Sequence, residues 1–464
     1  MFGTSQSVAP RPAVGPFDAS DDVSYSVVLL VIFAVALVSV QAVRRARLGR
    51  LLRALGDSPI ALQAQGTSIN ITRVAVFCLS ALLAGVGGAL LVSQERFLFA
   101  TPFSSTDSLT MVAILLTLRV GEPVSSLLAA AALVIVPSFL GGGSGQVWWL
   151  DIGFGAGAVL AALGSSAGWL PRVRWAPPRR RLVTRSSAPP AQTHAQARGP
   201  APRTRSEPAT RAGLEVRDLS VRYRGVVAVE HLDLTAPLGQ ITGLIGPNGA
   251  GKTTTFDFCS GLVAPVTGHL LLHGRDVTSL SPAARARQGL GRTFQRVQLF
   301  DSLTVRQNVE LGREGGLAGS HLLTHVVAPP AQLREVRAAA THAMDLVGIA
   351  PLAEREARTL STSEKRLVEL ARCLAGTFDV LLLDEPSSGL DMAETRRFGE
   401  VLTRVVDERG IGILLVEHNM ALVMDVCTVV YVLDFGHLIF AGPPEEAAAS
   451  DTVRAAYLGF AHAV

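Results

Sequence analysis

Hydrophobic and polar positions divide the chain into two regimes. In the first third they come in blocks. No charge interrupts residues 23–43 (VSYSVVLLVIFAVALVSVQAV), 74–94 or 123–150, and only Asp151 separates the last block from another that ends before Arg172. About 20 such residues, wound as a helix, cross a hydrocarbon core of about 30 Å. The uncharged run Ser108–Leu118 (SLTMVAILLTL) is too short to cross alone; it predicts a half-helix or one that borrows polar neighbours. About five spans are therefore expected over residues 23–171. Small residues at helical spacing within them, such as Ala81, Gly85 and Ala89, suit close helix packing.

From Leu214 onward the pattern changes to strand-like alternation (LEVRDLSVRY) and short apolar runs (ITGLI, VLLLD, ILLV) separated by longer helical stretches. Alternating strands and helices predict an α/β domain with a parallel sheet over residues 213–464.

Arginine placement orients the apolar blocks. Arg44, Arg45, Arg47, Arg50 and Arg53 follow the first, whereas the segment before it, residues 1–22, holds one Arg and three Asp. The positive-inside rule puts that tail outside the membrane and residues 44–70 inside. The same rule and the missing cleavage site argue against a signal peptide. Within the inside loop Leu48, Leu51, Leu52 and Leu55 recur at i, i+3, i+4 and i+7 with arginines between them, an amphipathic helix. Such a helix suits either anionic headgroups or a cytoplasmic docking partner.

Composition agrees with a membrane segment and excludes other classes. The 464 residues are 48% hydrophobic and 17% charged, which excludes a disordered chain. Four cysteines without paired spacing exclude a disulfide-stapled scaffold and a Cys-x-x-Cys metal site. The net charge of +4 is misleading. Residues 172–212 hold ten Arg, one Glu and seven prolines, and the chain beyond them holds 23 basic and 29 acidic residues. That short segment predicts an extended, positively charged tether that rests on membrane lipid. Without a basic fold or interleaved aromatics it does not predict nucleic-acid binding.

The candidate chemistry lies in the second regime. Gly246, Pro247, Asn248, Gly249, Ala250, Gly251, Lys252 and Thr253, with Thr254 following, match the phosphate-loop pattern between an apolar strand and a helix. Such a loop turns backbone amides and a helix N-terminus toward phosphates. Lys252 is one of only two lysines in the chain; it suits the β- and γ-phosphates, and the Thr253 hydroxyl suits Mg²⁺. The strand VLLLDEP ends in two carboxylates. Asp384 suits Mg²⁺, and Glu385 suits polarisation of an attacking water. Gln295 ends the run RTFQ between these motifs, and His418 follows the strand ILLVEH, where it suits a γ-phosphate contact.

In this order, residues 213–464 resemble the nucleotide-binding domain of ABC transporters. The resemblance implies an ATPase that uses ATP and Mg²⁺. It implies Tyr223 stacked on adenine and Gln295 sensing Mg²⁺ and the membrane domain. It also implies Asp391 in the loop after the carboxylates and His418 as the switch histidine. GRTFQRVQLFDSLTVRQNV, EHNMALVMDVC and the ending AYLG are similar to ATPase subunits of branched-chain amino-acid importers. GRLLRALGDSPIALQAQGTSINITRVAVF, followed by SALLAGVGGALL, is similar to the C-terminal half of their permeases, whose cytoplasmic loop contacts the ATPase. That favours docking for the amphipathic helix. The expectation is a multi-domain chain, an α-helical transmembrane domain followed by a P-loop NTPase domain, in a bacterial cytoplasmic membrane.

The expected partners are a second ABC ATPase domain, separate permease chains that supply the missing half, and an extracytoplasmic solute-binding protein. The signature departs from the family's LSGGQ. It reads Leu360, Ser361, Thr362, Ser363 and Glu364. Ser361 is retained for a partner's ATP, but Ser363 stands where glycine permits close backbone approach. The first reading is ATP-driven import of branched-chain amino acids or similar small polar solutes; the altered signature makes a weakly or non-hydrolysing structural partner of a second ATPase the second reading, and an exporter ATPase is the third.

Overall fold

The computed structural model describes residues 21–95, 213–223, 226–319 and 328–458, with isolated positions between 11 and 18 and between 321 and 325. The third, fourth and fifth expected spans and the arginine-rich tether lie outside the described residues. The chain forms two compact units, Met1–Leu37 with Gly85–Ser206, and Val38–Ala84 with Glu207–Val464.

The first two apolar blocks are helices, α1 (Asp22–Arg45) and α4 (Ile69–Glu95). Both are long and apolar enough to cross a membrane. Leu30 is 67% and Phe77 74% exposed, the inverse of a soluble core helix. The end charges of α1 match the macrodipole: Asp22 opens it and Arg44 and Arg45 close it. The helix α4 begins four residues before Arg73, so this arginine lies within it rather than before it. In the first unit the Tyr25 hydroxyl donates to Leu90 O at 2.6 Å, satisfying a buried phenol.

Between them lie two short helices, α2 (Arg47–Asp57) and α3 (Pro59–Ala64). Ser58 separates them, capping α3 by accepting from Ala61 N, and Pro59 sits at the first helical position.

The α/β part begins with an antiparallel sheet of β1 (Leu214–Tyr223), β2 (Val226–Ala236), β4 (Thr267–Leu272) and β5 (Arg275–Asp276), in the order β2-β1-β4-β5. The central sheet holds β3 (Ile241–Ile245), β6 (Leu290–Arg292), β7 (Val380–Asp384), β8 (Gly412–Val416), β9 (Val429–Asp434) and β10 (His437–Gly442). Its order is β10-β9-β3-β8-β7-β6, parallel except for the β9–β10 edge pair. Every residue of β3, β7 and β8 is buried, as apolar strands covered on both faces must be. One face packs with the antiparallel sheet through Leu244, Leu382 and Leu414 against Phe256 and Phe258. The other packs through Ile245, Leu383 and Leu415 with the helical layer. Leu244, Asp384 and Val416 share one register across β3, β7 and β8, so three chemical loops leave the same sheet edge.

Around the sheet stand α5 (Lys252–Ser260), α6 (Pro282–Arg287), α7 (Val305–Ala318), α8 (Pro330–Leu346), α9 (Thr362–Ala375), α10 (Met392–Arg409), α11 (Met420–Val426), α12 (Pro444–Ala449) and α13 (Asp451–Leu458). The starts of α7, α9 and α10 are capping boxes, Thr304–Gln307, Ser361–Glu364 and Asp391–Glu394.

The amphipathic segment docks on this unit. Leu51, Ala54, Ala61 and Leu62 pack with Phe300, Leu303, Leu311 and Ala318. At Gly315 a Cβ would lie 2.2 Å from Gln65 O, so only glycine permits this approach of α7 to the turn after α3. Polar contacts fix the register. Ser302 donates to Asp57 Oδ2 through N (2.9 Å) and Oγ, Ser58 Oγ lies 2.7 Å from Gln298 Oε1, and Arg287 Nη1 donates to Gly66 O at 2.8 Å. Arg50 pairs with Glu314, whose side chain is fully buried, and Arg47, equally buried, stands 3.9 Å from the same carboxylate.

Glu314→Gln should therefore take the ion-pair partner from Arg50 and the facing carboxylate from buried Arg47, with Glu310 the remaining counter-charge, at a cost of about 3–5 kcal/mol. Thermal unfolding of the full chain is expected to shift down by several degrees, and an unchanged midpoint would contradict this reading of the docked face.

Candidate functional site

The loop after β3 turns back on itself through positive φ at Gly246 (146°), Gly249 (83°) and Gly251 (103°). At Gly246 a Cβ would lie 2.1 Å from Leu433 O, and at Gly251 2.5 Å from Ala228 O, so neighbouring strands press directly on this backbone. Helix α5 starts at Lys252, whose Nζ donates to Gly246 O and Pro247 O, both at 2.7 Å. Burial lowers the Lys252 pKa, opposed by Glu385 and Asp384. Thr253 stands exposed at the start of the helix, and Thr255 bonds back to Gly251 O.

Facing this loop are the ends of β7 and β8. Asp384 is buried, and burial raises its pKa while Arg292 opposes the shift. Arg292 spans from Asp384 Oδ2 (3.3 Å) to Asp257 Oδ1 (2.7 Å), tying the carboxylate strand to α5. Glu385 sits at φ 44°, a left-handed conformation that a β-carbon makes costly. That turn lifts its carboxylate out of the sheet edge. Gln295 Nε2 donates to Oε2 at 3.0 Å, and His418 Nε2 meets Oε1 at 2.8 Å. The buried Glu417 carboxylate accepts from Ser387 N at 2.8 Å and His418 N at 3.1 Å, so it fixes the two turns that carry Glu385 and His418.

The structure thus brings Gln295, Glu385 and His418 together and places Lys252 and Asp384 at the same sheet edge. Tyr223, at the end of β1, is 47% exposed and opposite Val226, two residues from the Ala228 carbonyl that touches Gly251. The signature lies at the start of α9. Ser361 Oγ accepts from Glu364 N at 3.2 Å and lies 3.2 Å from Ser363 Oγ. The Glu364 carboxylate accepts from Ser361 N and Arg355. Asp391 caps α10 by accepting from Glu394 N at 2.8 Å.

Sequence reading missed Arg292, Glu417 and a charged face of α9. Arg366 donates to Phe294 O (3.0 Å) and Gln295 O (2.7 Å), Glu369 accepts from Gln298 N (3.3 Å), and Arg372 donates to Gln298 O (2.7 Å). Burial raises the Glu369 pKa, opposed by its two arginines. The available signal was three charges at i, i+3 and i+6 within residues 366–375, whose other positions are apolar. The helix that opens with the signature thus grips the backbone of residues 294–298, and the docked segment grips Gln298 from the other side.

The donor set fits Mg²⁺. Asp384, Thr253 and the Gln295 amide offer hard oxygens, few enough to leave positions for other ligands. This suits an ion that is completed by phosphate oxygens rather than by a protein cage.

Residues 229–388 match the family model described as "ABC transporter", and residues 2–163 match "Branched-chain amino acid transport system / permease component". The high-affinity branched-chain amino acid transport ATP-binding protein BraF of Pseudomonas aeruginosa is 35% identical over 249 residues, 53% of this chain and 97% of that protein. The lipopolysaccharide export system ATP-binding protein LptB of Escherichia coli is 35% identical over 248 residues, 53% of this chain and 98% of that protein. Among solved structures, cbiO1 from Clostridium perfringens, described as part of the ABC transporter complex cbiONQ, aligns at 28% identity with a TM-score of 0.46, over 54% of this chain and 95% of that one.

Gly246→Ala combines an unfavourable φ with the contact to Leu433 O, whereas Gly249→Ala carries only the φ, since nothing lies within 4 Å of its Cβ. A strained backbone position costs about 1–3 kcal/mol. Titration with a fluorescent ATP analogue should show Gly246→Ala weakened roughly tenfold or more and Gly249→Ala weakened less. Equal affinities would contradict the packing argument.

Proposed function

The chain belongs to the ABC transporter family and joins a permease segment of the branched-chain amino-acid type to an ATP-hydrolysing cassette; on that premise we propose that ATP hydrolysis at Glu385 drives uptake of a branched-chain amino acid or similar small polar solute. The observation that carries this reading is the bracketing of Glu385 by Gln295 and His418 at the sheet edge that also bears the phosphate loop.

In this reading Lys252 leaves the Gly246 and Pro247 carbonyls for the β- and γ-phosphates. Gly246–Thr254 supply amides to the same oxygens, and Tyr223 stacks on adenine. Thr253, Asp384 and Gln295 hold Mg²⁺, which neutralises phosphate charge. Glu385 takes the proton of the attacking water as its oxygen bonds the γ-phosphorus and the bond to ADP breaks. His418, already on Oε1, orients the Glu385 carboxylate and contacts the γ-phosphate. Because Gln295 also bonds Glu385, movement of residues 294–298 changes the general base directly.

The direction of transport rests on the N-terminal region. The ATPase half is 35% identical both to a relative named for amino-acid transport and to one named for lipopolysaccharide export. The permease match over residues 2–163 and the docked segment favour the importer. Spans beyond α4, a bacterial cytoplasmic membrane, a separate permease chain and a solute-binding protein belong to the same proposal.

The ATP site is completed by the signature of a second cassette, and Ser361 and its neighbours, with Asp391 at the same contact, face the ATP of that partner. Thr362, Ser363 and Glu364 replace the small and amide side chains of the usual signature, and Glu364 is turned back onto Ser361 and Arg355. This arrangement favours a paired ATPase that presents a glycine-bearing signature to the Lys252 site.

Mg²⁺-dependent ATP turnover by the chain in liposomes, beside Glu385→Gln, tests the assignment. Removal of a general base is expected to lower the rate about 10²–10⁴-fold while ATP binding persists. Equal turnover by both would remove Glu385 from this role, and ATP-dependent leucine efflux would overturn the importer reading.

A further inference from the structure

Arg45, Arg47, Arg50, Arg337, Glu310 and Glu314 line a cavity of about 190 Å³ where α2 meets α7 and α8. It belongs to no part of the ATP site. Four guanidiniums against two carboxylates leave it with surplus positive charge. Arg50 is committed to Glu314, its Nε donating to Oε2 at 3.0 Å. Arg47 is buried, and its two terminal nitrogens donate to Thr324 O (2.9 Å) and Gln332 Oε1 (3.1 Å). Its Nε has no hydrogen-bond partner among the described residues, because Glu314 Oε1 lies 3.9 Å away. Arg45 and Arg337 stand exposed at the rim and donate no hydrogen bond to the described residues. Glu310, the opposing charge, is buried; burial raises its pKa, and Arg50 opposes that shift.

A buried guanidinium with an unused donor, beside two guanidiniums that make no hydrogen bond to the described residues although Arg337 also faces Glu310, is a site short of an anion. Tetrahedral oxyanions suit it, since arginine forks offer several N–H groups to one group of oxygens. Arg45 is also the last residue of the apolar helix α1, so the cavity begins where the apolar run ends and headgroups would start. We infer that this cavity binds a phosphate group, from an anionic lipid headgroup or from a soluble phosphate, and so ties the docked segment to an anionic ligand. A ligand held by Arg45 and Arg47 on the docking side and Arg337 on α8 clamps the same joint that Glu314 holds from within.

The full chain is tested with two probes. Native mass spectrometry counts phosphatidylglycerol retained from nanodiscs of phosphatidylcholine with phosphatidylglycerol, and calorimetry measures inorganic phosphate on the detergent-purified chain. The Arg45→Gln/Arg337→Gln pair removes the two rim guanidiniums without touching the Glu314 ion pair. Arg404→Gln, an exposed arginine on α10, controls for loss of charge alone. The expected result is loss of one retained phosphatidylglycerol in the double variant, or phosphate binding weakened about tenfold or more. The first assigns the lipid source and the second the soluble one. The inference is overturned if wild type and double variant retain equal lipid and bind phosphate equally, or if Arg404→Gln loses as much. If the double variant melts early, Arg337→Gln alone is read by the same two measurements and decides the question.

Discussion

A carboxylate withdrawn from water needs cations withdrawn with it, and Glu314 on α7 takes them from a segment more than 260 residues earlier in the chain. Arg47 and Arg50 reach it from α2, directly after an apolar helix long enough to cross a membrane. Desolvation of three charges offsets much of their attraction, so the cluster contributes register more than net stability. Adhesion comes from the apolar patch of Leu51, Ala54, Ala61 and Leu62 on Phe300, Leu303 and Leu311. Only with that register does Ser58 meet Gln298 and Asp57 meet Ser302.

From Gln298 the path to the chemistry is short and physical. Residues 294–298 are held by three side chains of α9 on one side and by the docked segment on the other. Gln295, inside that stretch, bonds the carboxylate that activates water in the proposed reaction. The signature at the start of α9, the docked helices and Glu385 therefore share one backbone segment. A displacement of the docked segment has few ways to be absorbed before it reaches Gln295.

Much of the ATP site was legible because its chemistry is local. A phosphate loop needs its glycines and lysine within eight residues, and VLLLDEP writes a strand and its terminal carboxylates as one word. The α/β fold and the first two helices followed from periodicity for the same reason. Arg292, Glu417 and the Arg366–Glu369–Arg372 face were not legible. Each acts between elements that are distant in sequence, and a charged residue in a helix reads as a solvated face until its partners are known. Arg47 shows the limit most plainly. The leucine spacing of α2 identified an apolar face, but an arginine lies on the buried side too, beside Leu48 and Leu51. From the residues alone that helix suited headgroups and a protein partner equally, and the choice was made by Glu314, Gln298 and Ser302.

The central claim is that the docked segment holds the stretch that carries Gln295. Backbone hydrogen exchange of the full chain, compared with Asp57→Ala/Ser58→Ala, tests it most directly. The variant removes the acceptor of the Ser302 amide and the partner of the Gln298 side chain. The account predicts faster exchange across residues 294–302 and none across the buried strand β3. Unchanged exchange at residues 294–302, with the variant folded, would contradict it.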